Sequence, residues 1–134
     1  PLPALQLQTL DGQAVPLQRF GNGRPAIVNL WATWCPHCVR EMPVLAEAQR
    51  QYPDLDIVFL DQGEDGARVS RFLQRRGLAL DNVLLDAKGE VGRHFGLRAL
   101  PATLFYGRDG SLQDIRIGAL SKATLQERIE RLRR

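Results

Sequence analysis

The stretch Trp31-Ala-Thr-Trp-Cys-Pro-His-Cys38 contains both cysteines of this 134-residue chain. It overlaps the end of Ala26 to Trp31, a nearly continuous apolar run that is typical of a strand buried on both faces. Pro36 suits the first position of a helix, where its missing N–H would have no partner in any case. The stretch therefore predicts a strand that ends just before the cysteines and a helix that begins at them.

The cysteine spacing indicates redox chemistry. Cys35 and Cys38 are three residues apart, so on a helix they lie one turn apart on one face and can form a disulfide. At the helix start, unpaired N–H groups and the positive dipole end lower the pKa of Cys35 below the free-cysteine value of about 8.5. His37 adds to this effect if it is protonated or donates an N–H. We predict Cys35 as the attacking nucleophile and the more buried Cys38 as the resolving thiol.

The residues alone leave two other uses of the cysteine pair open. A zinc site needs four ligands, whereas one Cys-x-x-Cys pair is joined here only by His37 and the distant His94. A structural disulfide would close a short loop and restrict the unfolded chain very little. We therefore favour reversible exchange, in which the cysteine pair is the redox centre and neither a cofactor nor a metal is needed. Trp34, next to the nucleophile, is expected either to form an exposed rim for docking or to pack.

The rest of the chain alternates strand and helix patterns, with no repeat and no low-complexity linker. We predict a single domain over residues 1–134, an α/β fold with a central mixed sheet and helices on both faces. The predicted elements, in chain order, are a hairpin at 4–10 and 14–17, a strand at 26–31, a helix at 36–51, a strand at 55–60, a helix at 66–76, a strand at 83–85, a short helix at 90–95, a hairpin at 102–106 and 112–117, and a final helix capped by Ser121.

Composition narrows the classes of partner. The net charge of +3 is spread over 18 basic and 15 acidic residues without a basic cluster before the last helix, whose basic end is interpreted as a solvated face, so we expect no nucleic-acid binding. No apolar run reaches the length of a membrane span, and nothing suggests an obligate interface, so we expect a monomer. The chain begins at Pro1 without a charged and then apolar leader. This start suits a mature exported protein or one trimmed of a leader or anchor.

The longer stretch Asn29-Leu-Trp-Ala-Thr-Trp-Cys-Pro-His-Cys-Val-Arg-Glu-Met-Pro43 closely resembles the TlpA/ResA-like branch of the thioredoxin superfamily. The resemblance extends across essentially the whole chain. It implies a thioredoxin-like fold with an extra N-terminal β-hairpin, and thiol–disulfide oxidoreductase activity on protein thiols and disulfides. It further implies a membrane redox partner, substrates such as apocytochromes c, and a periplasmic or membrane-anchored location facing the periplasm.

The resemblance adds two features to the site. Leu100-Pro101 matches the family's cis-proline loop, which faces the disulfide and whose backbone is expected to pair with a partner chain. Glu64 resembles the acid that family members keep near the disulfide, which implies proton exchange with Cys38. From the residues alone, an ordinary trans proline opening a strand fits Pro101 equally well, and the alternative for Glu64 is an exposed loop acid beside Asp65. Ordinary thioredoxins carry an aspartate on the strand before the motif, where this chain has Asn29.

One departure from the family concerns the direction of electron flow. Pro36 and His37, between the cysteines, form the dipeptide of the oxidant DsbA, so we predict a potential more oxidising than that of a typical reductive member.

Two other functional classes stay open. One is a thiol peroxidase, although such enzymes use Thr-x-x-Cys and Thr33 lies only two residues before Cys35. The other is a metal-binding thiol chaperone.

Overall fold

The computed structural model describes residues 1–134, and its seven strands form one mixed sheet. The strands are β1 (Gln6–Thr9), β2 (Ala14–Pro16), β3 (Ala26–Trp31), β4 (Asp56–Gln62), β5 (Val83–Asp86), β6 (Ala102–Tyr106) and β7 (Leu112–Ile117). The helices are α1 (Pro36–Gln51), α2 (Gly66–Arg76), α3 (Glu90–His94) and α4 (Lys122–Arg133), with a 3-10 turn at Leu17–Arg19. The strand order is β2-β1-β5-β4-β3-β6-β7, which confirms the predicted α/β class with a mixed sheet.

β3 lies inside the sheet and leads directly to the cysteines. It pairs in parallel with β4 and antiparallel with β6, and β4 pairs in parallel with β5. The N-terminal hairpin joins the sheet because β1 pairs antiparallel with β5. All six residues of β3 are buried, as expected for a strand with neighbours on both sides and helices over both faces.

Alternation along the strands divides the core into two layers. Ile57 and Phe59 of β4 face a cluster that contains Trp31 and both cysteines and is covered by α1, α2 and α4; we call it the disulfide-side core. Val58 and Leu60 face the opposite cluster, which contains Val91 of α3; we call it the α3-side core. Successive strand side chains point to opposite faces, so each strand contributes to both layers.

Local signals fix the helix ends. Asp65 caps α2 by accepting a hydrogen bond from the backbone N–H of Arg68, and Gly77 ends the helix in the left-handed conformation at φ 62°. Ser121 caps α4 by accepting from the backbone N–H of Thr124, as predicted. No helix of the structure combines the length and the apolarity needed to cross a bilayer.

β4 differs from its predicted bounds. The sequence predicts a strand over 55–60, whereas β4 runs from Asp56 to Gln62 because its pairing continues on both sides. Asp61 lies opposite Trp31 on β3 and opposite Leu85 on β5. The extension places a carboxyl group inside the sheet, where the sequence predicts the start of a loop.

Candidate active site

A disulfide joins Cys35 to Cys38 where β3 leads into α1, and the two Cα atoms are 5.3 Å apart. Cys35 is the N-cap of α1 and Pro36 is the first helical residue, as predicted. The backbone N–H of Cys38 lies 3.2 Å from Sγ of Cys35 and donates a hydrogen bond to it. A hydrogen bond of this kind, together with the positive helix end, stabilises a thiolate at Cys35 once the disulfide opens.

Both cysteines are buried, although their neighbours are not. Cys35 is 4% exposed and Cys38 is 1% exposed. Cys38 is therefore the more buried of the two, as predicted, but the difference is small. Trp34 is 64% exposed, and Pro36 and His37 are also exposed. Exposed side chains therefore flank the sulfur of Cys35 in the chain, and a partner has to approach across them.

His37 has a charged neighbour that the sequence analysis missed. Nη2 of Arg40 lies 2.6 Å from Nδ1 of His37. The guanidinium has only donors, so Nδ1 is the acceptor in this contact. Arg40 adds a permanent positive charge to the first turns of α1. The signal was present in the sequence, since residues 37 and 40 are three apart on a helix.

The Leu100–Pro101 peptide bond is cis, as the resemblance implied. Pro101 directly precedes β6. Because Leu30 of β3 pairs with Ala102 of β6, Pro101 lies at the edge of the sheet where β3 leads into the cysteines. The half-buried Leu100 packs against the core layer that contains both cysteines. The proline loop and the disulfide therefore lie at the same edge of the sheet.

Glu64 is not an exposed loop acid. Its side chain is 7% exposed, and the residue lies two positions after the end of β4. One carboxylate oxygen accepts from the backbone N–H of Thr33 at 2.8 Å, and the other accepts from the Thr33 hydroxyl at 2.5 Å. Nε of Arg68 donates to the second oxygen at 2.9 Å. We call Ala32 to Cys35, which joins β3 to α1, the cysteine loop; Glu64 holds this loop through Thr33.

Asp61 and Glu64 form a pair of carboxyl groups. The backbone N–H of Glu64 donates to Oδ1 of Asp61 at 3.2 Å, while no hydrogen-bond donor reaches Oδ2 of this fully buried residue. Burial, and then the hydrogen bond and charge of Glu64, raise the pKa of Asp61 to about 9. Burial alone would raise the pKa of Glu64 too, but hydrogen bonds from Asp61, Thr33 and Arg68 outweigh it and lower that pKa. These opposite directions favour a proton on Asp61 rather than on Glu64.

A third buried acid, Glu41, lies on α1. Its carboxylate accepts from Nδ2 of Asn29 at 2.9 Å and from the backbone N–H of Leu120 at 2.7 Å. Asn29 also donates to the hydroxyl of Thr103 at 3.3 Å. Burial raises the pKa of Glu41 against these two hydrogen bonds. The sequence carries a signal for this residue, because Glu41 is three positions after Cys38 on the apolar face of α1.

The structure brings no three His, Cys, Asp or Glu side chains together as a metal site requires. Nor does it place a threonine where a thiol peroxidase needs one. Ala32 is the third residue before Cys35, and the hydroxyl of Thr33 donates to Glu64. His94 is exposed and contacts Phe95 edge to face, far along the chain from the cysteines.

A disulfide at the start of a helix, level with a cis-proline loop at one sheet edge, is the redox centre of thioredoxin-fold thiol–disulfide oxidoreductases. MTB DsbF, solved in mixed oxidised and reduced forms, is 27% identical with a TM-score of 0.87, over 98% of this chain and 99% of that one. A secreted disulfide oxidoreductase of Mycobacterium tuberculosis, homologous to E. coli DsbE, is 26% identical with a TM-score of 0.83, over 96% of each chain.

Sequence comparison leads to the same class. The thiol-disulfide oxidoreductase ResA of Halalkalibacterium halodurans is 28% identical over 126 residues, which are 92% of this chain and 70% of ResA. The model of the AhpC/TSA family matches residues 1–115. The chain therefore belongs to the AhpC/TSA family, and within the thioredoxin superfamily it is a TlpA/ResA-like thiol–disulfide oxidoreductase.

Proposed function

We propose that this oxidoreductase works through Cys35 as the nucleophile and Cys38 as the resolving thiol. The observation that carries the proposal is the position of Cys35, whose sulfur accepts a hydrogen bond from the backbone N–H of Cys38 at the start of α1. The same bond is available to a thiolate, which is the reactive form of cysteine. Cys38 lies one turn inside the helix and is the more buried of the two.

In the reducing direction, the Cys35 thiolate attacks one sulfur of a partner disulfide and forms a mixed disulfide, while the other partner sulfur leaves and takes a proton. Cys38 then loses its proton, attacks Cys35 and releases the partner as a dithiol, so that two electrons pass to the partner. The oxidising direction is the reverse. Glu64, ionised at neutral pH and joined to the cysteine loop, is the proposed group that exchanges the proton with Cys38.

The partner chain docks at the sheet edge that carries the disulfide. Trp34 offers a large exposed aromatic surface beside Cys35, and such residues are common anchors at interfaces. The backbone at Leu100, before the cis Pro101, pairs with an extended segment of the partner. His37, which is exposed beside Cys35 in the chain and contacts Arg40, is the proposed residue that tunes the sulfur from the same side.

The potential is proposed to be more oxidising than that of a typical reductive relative. Thioredoxin at about −270 mV and DsbA at about −120 mV differ by roughly 7 kcal/mol. Each unit by which the pKa of Cys35 falls below the ambient pH favours the reduced protein by about 1.4 kcal/mol. The positive charge of Arg40 beside His37 acts in this direction. Equilibration with glutathione measures the potential, and a value at or below that of thioredoxin contradicts this part of the proposal.

For the cellular setting we propose a single-domain monomer on the extracytoplasmic side of a bacterial membrane, periplasmic or membrane-anchored. The likeness to a secreted disulfide oxidoreductase supports this location. Such a protein needs a membrane redox partner to renew its cysteine pair, and apocytochromes c are the proposed substrates. No small cofactor takes part, because the cysteine pair carries the electrons.

Two variants test the assignment of the cysteines. Cys35→Ser should abolish insulin reduction, because the attacking sulfur is lost. Cys38→Ser should form a mixed disulfide with a partner and then stall, because the resolving sulfur is lost; mass spectrometry detects the trapped species. Activity retained by Cys35→Ser would overturn the assignment. Peroxide consumption or tight metal binding by the reduced wild type would instead favour the peroxidase or metal-chaperone alternatives.

A further inference from the structure

Asp61 is a buried acid that the exchange mechanism above does not use, and it shares a core layer with the disulfide. It continues the alternation of Ile57 and Phe59, whose side chains belong to the disulfide-side core with Cys35 and Cys38. Its partner in the sheet is Trp31, the residue that directly precedes the cysteine loop. An ionisable group of β4 is therefore buried on the side of the sheet where the redox pair lies.

The contacts of this group define its chemical form. Oδ1 accepts the backbone N–H of Glu64, and no hydrogen-bond donor reaches the buried Oδ2. Its only side-chain hydrogen-bond partner is the carboxyl of Glu64, and two carboxyl groups in contact need a proton between them. Glu64 is the ionised member because its oxygens already accept from Thr33 and Arg68. Glu64 and Arg68 are the charged groups that act on Asp61, while β5 sets the apolar Leu85 opposite it.

We propose that Asp61 is a positioning residue of the redox site, which in its neutral form donates a hydrogen bond to Glu64 and thereby fixes the cysteine loop. Glu64 passes the constraint on, since both of its oxygens bind Thr33, two residues before Cys35. If Asp61 loses its proton, two adjacent carboxylates repel each other and the hold on Thr33 weakens. The inference rests on the proposed role of Cys35, because a loop fixed in this way matters only if the sulfur reacts.

The proton on Asp61 is observable in the oxidised protein, independently of any exchange reaction. Carboxyl carbons are followed by NMR between pH 5 and pH 10, and the Asp61 signal is identified by its loss in Asp61→Asn. We expect a titration midpoint near 9 that moves lower in Glu64→Gln, where the partner no longer carries a charge. If the Asp61 signal is already that of a carboxylate at pH 5 and does not titrate up to pH 10, the inference is overturned even if the protein is an active oxidoreductase.

The effect on the sulfur is a change in the pKa of Cys35, which is measured from the rate of alkylation by iodoacetamide as a function of pH. The parent is reduced Cys38→Ser, and each substitution at Asp61 is added to it. Asp61→Ala removes the hydrogen bond to Glu64 and should raise the pKa of Cys35 by about half a unit to one unit, or about three- to tenfold in thiolate fraction. Asp61→Asn keeps an N–H donor and should stay within about twofold of the parent. A normal Cys35 pKa in Asp61→Asn and a raised one in Asp61→Ala would show that the hydrogen bond positions the loop, because a general loss of stability would not depend on an N–H donor.

Asp86 provides a matched control on the neighbouring strand β5. It is 2% exposed and accepts the backbone N–H groups of Glu90 and Val91 at 2.9 and 3.0 Å, away from the cysteine loop. Asp86→Ala should weaken the fold and leave the pKa of Cys35 unchanged. An equal shift of that pKa in Asp61→Ala and Asp86→Ala, or no shift in a folded Asp61→Ala, overturns the proposal. If Cys35→Ser proves fully active, the failure lies instead with the proposed function.

Discussion

Glu41 and Asp61 are both buried carboxyl groups on the disulfide side of the sheet, yet their surroundings differ sharply. Glu41 receives one donor on each oxygen, from Asn29 and from the backbone of Leu120. Asp61 receives one backbone donor, and its second oxygen has none except the acid beside it. The first environment can hold a charge and the second favours a proton, so burial alone does not decide what a carboxyl group does.

The largest effect is expected from Glu41→Ala. The substitution leaves the side-chain amide of Asn29 and the backbone N–H of Leu120 buried without an acceptor and opens a cavity, at a cost of about 3–5 kcal/mol. Urea denaturation at neutral pH measures the loss. Glu41→Gln retains one acceptor and should cost less, about 1–3 kcal/mol. Equal stability of Glu41→Ala and wild type would contradict the contrast drawn above.

The next effect concerns pH. Asp61 has its pKa raised from 3.8 to about 9, so the folded protein holds a proton that the unfolded chain releases. The free energy of unfolding that is linked to this proton is therefore fully present below pH 4 and is lost as pH rises toward 9. The loss is at most about 1.4 kcal/mol per pH unit. Asp61→Asn does not titrate and should be more stable than wild type at pH 8, by about 1–3 kcal/mol. Urea denaturation of both proteins at pH 5 and pH 8 tests this. If wild type and Asp61→Asn change in stability by the same amount between the two pH values, the prediction is wrong.

The smallest effect separates two of the side-chain donors on Glu64, Thr33 and Arg68. Thr33→Val removes the hydroxyl that donates at 2.5 Å and should cost about 1 kcal/mol, because the site is largely buried. Arg68 is 58% exposed, so Arg68→Gln should cost less than about 0.5 kcal/mol, and the difference should shrink in high salt. Thermal melts at two salt concentrations distinguish the two. A larger loss for Arg68→Gln would show that the ion pair, rather than the loop contact, holds Glu64.

The sequence predicted most of the fold because its signals are local. Pro36 begins α1, Gly77 ends α2, Ser121 caps α4, and the apolar run of β3 marks a buried strand. Each depends on neighbours within a few positions of the chain. The cysteine spacing is a local signal of the same kind; it predicted thiol–disulfide chemistry, and the similarity to known oxidoreductases confirms that function.

What the sequence alone left open depends on contacts between distant segments. The cis bond at Leu100–Pro101 followed from the family resemblance and not from the residues, since trans and cis forms of an X–Pro bond differ by only about 1 kcal/mol. Asp61 was missed because a charge after an apolar run usually marks a strand end, whereas here pairing on both sides carries β4 past it. Glu41 was missed because its acceptor role requires Asn29 and Leu120 from other elements.

The site of the disulfide has a consequence for turnover. Cys38 lies in the first turn of α1 and Cys35 caps the same helix, so helix hydrogen bonds hold both residues in addition to the sulfur–sulfur bond. We therefore expect the backbone of α1 to stay in place when the pair gains or loses two electrons, so that each catalytic round starts from a scaffold that is already assembled.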